Sequence, residues 1–159
     1  MRNIWERTIW REVMDEKLVK EVIFSFREVQ RKTHHVLAEE AANREITTTQ
    51  LLAIRELQKE SELTLGELAE RMKLGKSTVS GIVDRLVKAG FLKRTRNESN
   101  RRALSLELTE KGATKAAETY HVFFNRLEPI LEIGEERLKE MLEMHQEIIT
   151  ILEREGARD

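Results

Sequence analysis

Apolar residues recur at helical spacing along most of this chain, and the places where that spacing fails divide it into elements. Val19, Val22, Ile23, Phe26, Val29, Thr33, Val36 and Leu37 follow one face of a helix expected over about residues 15–43. Such a helix is about 43 Å long at 1.5 Å per residue, more than a small core can cover. Residues 1–13 carry both tryptophans, Trp5 and Trp10, and read as a helical extension whose rings need a surface, either the chain's own core or a second copy. A second helix starts at Thr47, where Thr47 and Gln50 have the spacing of a capping box ahead of Leu51, Leu52, Ile54 and Leu57. It ends in the polar break Lys59-Glu60-Ser61-Glu62, after which Leu63 and Thr64 suit a very short strand.

The next stretch changes rhythm twice. Thr64 and Glu67 form another capping box before Leu65, Leu68, Ala69 and Met72, so a short helix with one buried face is expected. Lys73-Leu74-Gly75-Lys76 interrupts it. Val79, Ile82, Val83 and Leu86 then resume the spacing as far as Gly90, which suits the residue just past a helix end. Two short helices joined by a tight glycine-containing turn are the signature of a helix-turn-helix. Burying those four side chains turns Ser77, Ser80, Gly81, Asp84, Arg85 and Lys88 outward, small and polar at the end where a reading helix approaches base edges. Residues 91–96 and 103–108 read as two strands, the second with Leu104, Leu106 and Leu108 on one side, and the polar stretch 97–102 between them makes a hairpin with a charged tip.

Beyond the hairpin, Thr109 is a plausible cap for a helix bearing Ala113, Ala116, Ala117, Tyr120, Phe123, Phe124 and Leu127, and Pro129 and Gly134 bracket its end. A last helix from about Glu135 to Glu153 shows Leu138, Met141, Leu142, His145, Ile148, Ile149 and Leu152 on one side. The first and the last two helices have no obvious partner within the chain. A symmetric dimer built from all three is the simplest expectation, with an ordinary intrachain bundle as the alternative.

Several motifs, taken together and in order, resemble the MarR family of bacterial winged-helix transcription regulators. They are Leu68-Ala69, Ser77-Thr78-Val79-Ser80, Val83-Asp84-Arg85-Leu86, Ala89-Gly90-Phe91-Leu92-Lys93-Arg94, Arg101-Arg102 and Leu108-Thr109-Glu110-Lys111-Gly112. The match is dense over about residues 48–115 and elsewhere only a pattern of helices. In the resemblance, Arg102 takes the place of a wing arginine commonly preceded two positions earlier by aspartate; here that position is Asn100. An aspartate would pair with and orient the arginine, whereas asparagine offers only neutral hydrogen bonds. A looser wing is therefore expected, with Asp84 bracing Arg94 or Arg102 in part.

Composition narrows the function. The chain has 159 residues, no cysteine, 36% charged and 40% hydrophobic side chains, a balance typical of a globular domain with extensions. Without cysteine there is no disulfide framework, thiolate metal site or cysteine nucleophile, nor the thiol-based peroxide sensing used by some members of the resembled family. No 18-residue apolar run or signal-peptide core is present, so no membrane partner is expected and the cytoplasm is the expected compartment. The net charge is only −1, but between Arg71 and Arg102 ten basic residues stand against two acidic ones, a local excess of eight that leaves the remainder at −9. Such a division makes one face attractive to phosphate.

The fold expected is mainly α with a small β wing: a winged helix-turn-helix core over residues 47–109, flanked by dimerisation helices in 1–46 and 110–159, in the order α1-α2-β1-α3-α4-β2-wing-β3-α5-α6. Double-stranded DNA is the expected partner, contacted by Lys76, Ser77, Thr78, Ser80, Gly81 and Arg85 from the helix and by Arg96, Arg101 and Arg102 from the wing. The resemblance further implies a homodimeric repressor whose grip on a pseudo-palindromic operator responds to a small-molecule effector. Phe26, Tyr120 and Phe124 are places where an aromatic effector could lodge, and equally ordinary core positions. His121 and His145, joined by His34 or His35 and by Glu39 or Glu40, form a metal-responsive alternative. A winged-helix module that docks an acidic protein is another. No nucleophile turn, phosphate loop or acid–base pair points to catalysis or to a cofactor.

Overall fold

The computed structural model describes the backbone of residues 4–96 and 104–156 and the side chains of residues 16–95 and 104–154. In chain order the elements are α1 (Ile4–Ala42), α2 (Thr48–Lys59), β1 (Leu63–Thr64), α3 (Leu65–Met72), α4 (Lys76–Lys88), β2 (Leu92–Arg96), β3 (Leu104–Leu108), α5 (Glu110–Leu127), a 3-10 turn (Glu128–Ile133) and α6 (Glu135–Gly156). This is the expected order, with the 3-10 turn occupying the break flanked by Pro129 and Gly134. The helix expected from residue 15 begins instead at Ile4, because neither glycine nor proline interrupts the chain from there to Ala42. The chain forms two compact units, Met1–Phe123 and Phe124–Asp159.

In the first unit one apolar core joins α2, α3, α4 and the sheet. Leu51, Ile54, Leu68, Val79, Val83 and Leu86 lose all contact with solvent there, and Leu92 and Leu106 close the core from the sheet. Each of the three short helices contributes a single buried stripe, as its 3.6-residue spacing requires. Both expected capping boxes form. Thr47 accepts the Gln50 amide at 3.2 Å and Gln50 Oε1 accepts the Thr47 amide at 2.8 Å, while Thr64 and Glu67 repeat the exchange at 3.3 and 2.7 Å. The hydrogen bonds from Thr64 hold the Glu67 carboxyl below the usual carboxylate range.

The turn between α3 and α4 is made differently from what its glycine suggests. The left-handed residue is Lys73, at φ 52° and ψ 41°, while Gly75 is extended at φ −63° and ψ 143° and caps α4. A lysine in the left-handed region carries a Cβ penalty that glycine avoids. Lys73→Gly is therefore expected to raise stability by about 0.5–1 kcal/mol in urea unfolding. An unchanged or lower midpoint would show that the turn does not hold this conformation in solution.

The sheet is antiparallel in the order β1-β3-β2, so β3 is central, with Leu63 opposite Leu106, Thr64 opposite Ser105, and Arg96 opposite Leu104 at the far end of the hairpin. The expected leucine face of β3 is only partly realised: Leu106 is buried, Leu108 half-buried, and Leu104 is 56% exposed where the hairpin runs past the core. Ser105, on the opposite side, is fully buried. It sits level with Thr64 and Thr95 on the neighbouring strands, a row that position in the sheet creates and periodicity does not announce.

The joint between α4 and α5 is dense in directed contacts. Gly90, at φ +76°, ends α4: its amide reaches Val87 O at 2.9 Å and the Phe91 amide reaches Leu86 O at 2.8 Å, the paired bonds of a Schellman end. Thr109 Oγ1 then donates to Gly90 O at 2.7 Å and accepts the Gly112 amide at 3.1 Å, so one hydroxyl caps α5 while holding the end of α4. Lys111 Nζ donates to Ala89 O at 2.8 Å and lies 5.2 Å from the centre of the Phe91 ring. From this seat α5 lays Ala116 and Tyr120 against the core. The expectation that α5 lacks a partner within the chain therefore fails over its first half: small side chains at Gly112 and Ala116 let the helix approach closely.

The second unit holds the end of α5, the 3-10 turn and α6. None of its described residues is buried, and Leu131, Leu142 and Leu152 are each about three-fifths exposed. Leu18, Val19 and Val29 of α1 show the same character, and among the described side chains of this helix those of its last turns, through Ala41, enter the core of the first unit. Among the described residues no helix is long and apolar enough to cross a membrane.

Candidate nucleic-acid interface

The buried stripe of α4 fixes which side chains the helix displays. With Val79, Ile82, Val83 and Leu86 inward, Lys76, Ser77, Thr78, Asp84, Arg85 and Lys88 are exposed, and Ser80 and Gly81 are partly so. The N-terminus of α4 has no side-chain cap, because its N-cap is Gly75. The first amides of the helix have no intrahelical acceptor, and together with the helix dipole they form an end receptive to an anion. Lys76 adds a cation there, its stem passing over the start of α3, where Cε lies 3.7 Å from the place a Cβ on Gly66 would take.

Ion pairing divides the basic residues of this region. Arg71 is paired with Glu60, Lys93 with Glu107 across the hairpin at 2.7 Å, and Arg94 with Asp84 at 2.5 Å. The last contact links α4 to the base of the wing, and Arg94 is one of the two partners expected for Asp84. Among the described residues Lys73, Lys76, Arg85 and Lys88 form no ion pair, which leaves their charge available to an external anion. The Lys93–Glu107 pair follows from strand register, which a linear count of charges does not contain. Arg96 has its backbone in β2, but its side chain, together with Asn100, Arg101 and Arg102, lies outside the described residues, as do the side chains of Trp5 and Trp10.

The remaining candidates are divided between the two units. Phe26 is half-buried on α1; Tyr120 packs on the core and meets Phe123 edge to face at 6.5 Å; Phe124 is exposed and belongs to the second unit. Burial pushes the Tyr120 hydroxyl up from its ordinary pKa. Glu56, buried on α2, is held below the usual carboxylate range chiefly by its hydrogen bond from Lys59. His35 lies 3.2 Å from Glu39, and no group of three or more His, Asp or Glu side chains among the described residues is placed to hold a metal.

A three-helix core with a short sheet, an exposed second helix of a helix-turn-helix and an adjoining hairpin define a winged helix-turn-helix protein, the architecture of DNA-binding transcription regulators. The MarR family model matches residues 46–104. The chain is 30% identical over 103 residues to the HTH-type transcriptional repressor MdtR of Bacillus subtilis, a match spanning 65% of this chain and 66% of that repressor. It is 26% identical over 123 residues to the repressor YetL of the same organism, covering 76% and 74% of the two chains. A MarR family protein from Bacillus stearothermophilus superposes with a TM-score of 0.73 at 27% identity, over 89% of this chain and 97% of that one. The chain belongs to the MarR family.

Proposed function

We propose that the protein is a homodimeric, sequence-specific repressor of transcription that binds double-stranded DNA through α4 and the wing, in the cytoplasm, with its affinity set by a small-molecule effector. The observation that carries this reading is the outer face of α4, where an uncapped helix end, small hydroxyl side chains and the cations Lys76, Arg85 and Lys88 lie together above a fully packed inner face. The amides and lysines serve phosphate; Ser77, Thr78, Ser80 and Arg85 reach base edges in the major groove. Arg96, Arg101 and Arg102 on the hairpin suit a narrow, negative minor groove.

Dimerisation is supported by apolar side chains left exposed on α1 and α6, such as Val19, Val29, Leu142 and Leu152. Their burial in a second copy would offset the cost of leaving them in water. Two reading helices related by a two-fold axis then fall about one helical turn of DNA apart, which calls for an approximate palindrome. An effector acts on such a dimer only if it prefers one spacing of the two heads. The naming of MdtR and YetL as repressors supports the sign of regulation.

Selection of duplexes from a random pool tests the proposal. The expected product is a near-palindromic site whose affinity falls on the order of 10³-fold between 50 and 200 mM salt if six or more phosphates are engaged. Equal binding to all duplexes would overturn it.

A further inference from the structure

Most of the described glycines have a reason inside the molecule. Gly90 and Gly134 adopt positive φ, Gly112 has no room for a side chain, and Gly75 is an N-cap, where glycine is common. Gly81 has none of these. It lies in the middle of α4, outside the positive-φ region, and a Cβ built on it would meet nothing within 4 Å. After proline, glycine is the least favourable residue in a helix interior, so alanine would serve the fold better here. What the missing methyl leaves open is a notch at the centre of the outer face, one turn beyond Ser77 and one turn before Arg85.

The chemistry of the notch restricts its occupant. The amide and carbonyl of Gly81 belong to the ladder of α4, so the outward surface is a bare methylene with no donor or acceptor. In the major groove the purine N7 and O6, the amino groups and thymine O4 are all polar, and each would lose a hydrogen bond to water against such a surface without gaining another. The C5-methyl of thymine is the apolar group that projects furthest there, beyond the C5–H that cytosine carries at the same ring position. We propose that Gly81 is a specificity-determining position, at which a thymine methyl in each half-site enters the gap left by the absent side chain. The inference rests on α4 being the base-reading helix.

A methyl-swap cycle on the duplex enriched by the unaltered protein tests it. Replacing each thymine in turn by uracil removes one methyl, and Gly81→Ala adds one to the protein. The expected result is a several-fold loss of affinity for the unaltered protein at one symmetric pair of thymines. Gly81→Ala should lose about tenfold on the thymine duplex, the size of one mismatched base pair, and recover part of that loss with uracil at the same positions. Its thermal midpoint should rise by about 2–4 °C, which separates the loss from misfolding. If no uracil substitution matters, if Gly81→Ala binds unchanged, or if its loss is the same on every duplex, the inference is overturned. Failure of the unaltered protein to enrich any duplex would instead overturn the proposed function.

Discussion

Gly112→Ala is expected to lower folding stability by about 3 kcal/mol or more, although alanine is the better helix former by about 1 kcal/mol. The added Cβ would lie 2.2 Å from the carbonyl oxygen of Phe91 and 2.9 Å from Leu108 Cδ1. Leucine can turn aside, but that carbonyl cannot, since it accepts the Thr109 amide at 3.1 Å and the Thr109 hydroxyl at 3.0 Å. Relief requires α5 to lift from its seat, which would weaken the Thr109 cap and the Lys111 contact with Ala89 O and draw Ala116 out of the core. Urea unfolding of the variant measures the cost. A midpoint equal to or above that of the unaltered chain would mean that the start of α5 does not sit where described. Gly81→Ala is the matched control, since the same substitution in another helix meets no atom and is expected to stabilise.

Ser77→Glu is expected to weaken operator binding by about 100-fold while leaving the fold intact. Ser77 is exposed in the first turn of α4, where a carboxylate interacts favourably with the helix dipole by about 0.3–1 kcal/mol. Stability should therefore hold or rise slightly. Facing DNA, the same carboxylate meets phosphate and the acceptor-rich floor of the groove, at a cost of about 3 kcal/mol, on the order of 100-fold in affinity. The two signs are opposed, so the substitution separates a binding defect from a folding one. Retained binding by a folded Ser77→Glu protein would remove the first turn of α4 from the interface. Arg85→Ala should act differently, relaxing discrimination at particular base pairs by about 1–3 kcal/mol.

Much of the winged core was legible because its signals are local. A capping box needs only Thr64 and Glu67, or Thr47 and Gln50, at the right separation, and the structure contains both sets of hydrogen bonds. The buried stripe of α4 follows from the spacing of Val79, Ile82, Val83 and Leu86, and the displayed face is what that stripe leaves over. Where chain position had to be converted into spatial neighbourhood, legibility fell. The ion pairs Lys93–Glu107 and Arg71–Glu60 reduce the basic region to fewer available cations than its composition implies. Residue type misleads at the turn between α3 and α4, where glycine is present yet the left-handed conformation falls on Lys73, set by how the two helices must be joined.

The sequence by itself determined the order and type of the elements, the inward face of each short helix and the concentration of positive charge between α3 and the wing, because these depend on neighbours within a few residues. Only the tertiary structure decided that β3 is the central strand with Ser105 buried, that α5 is seated against the end of α4 while the second unit keeps its apolar residues exposed, and which cations are already paired. Those outcomes depend on contacts between segments far apart in the chain, whose close approach is set by packing volume, as at Gly112, and by strand register, as at Lys93 and Glu107.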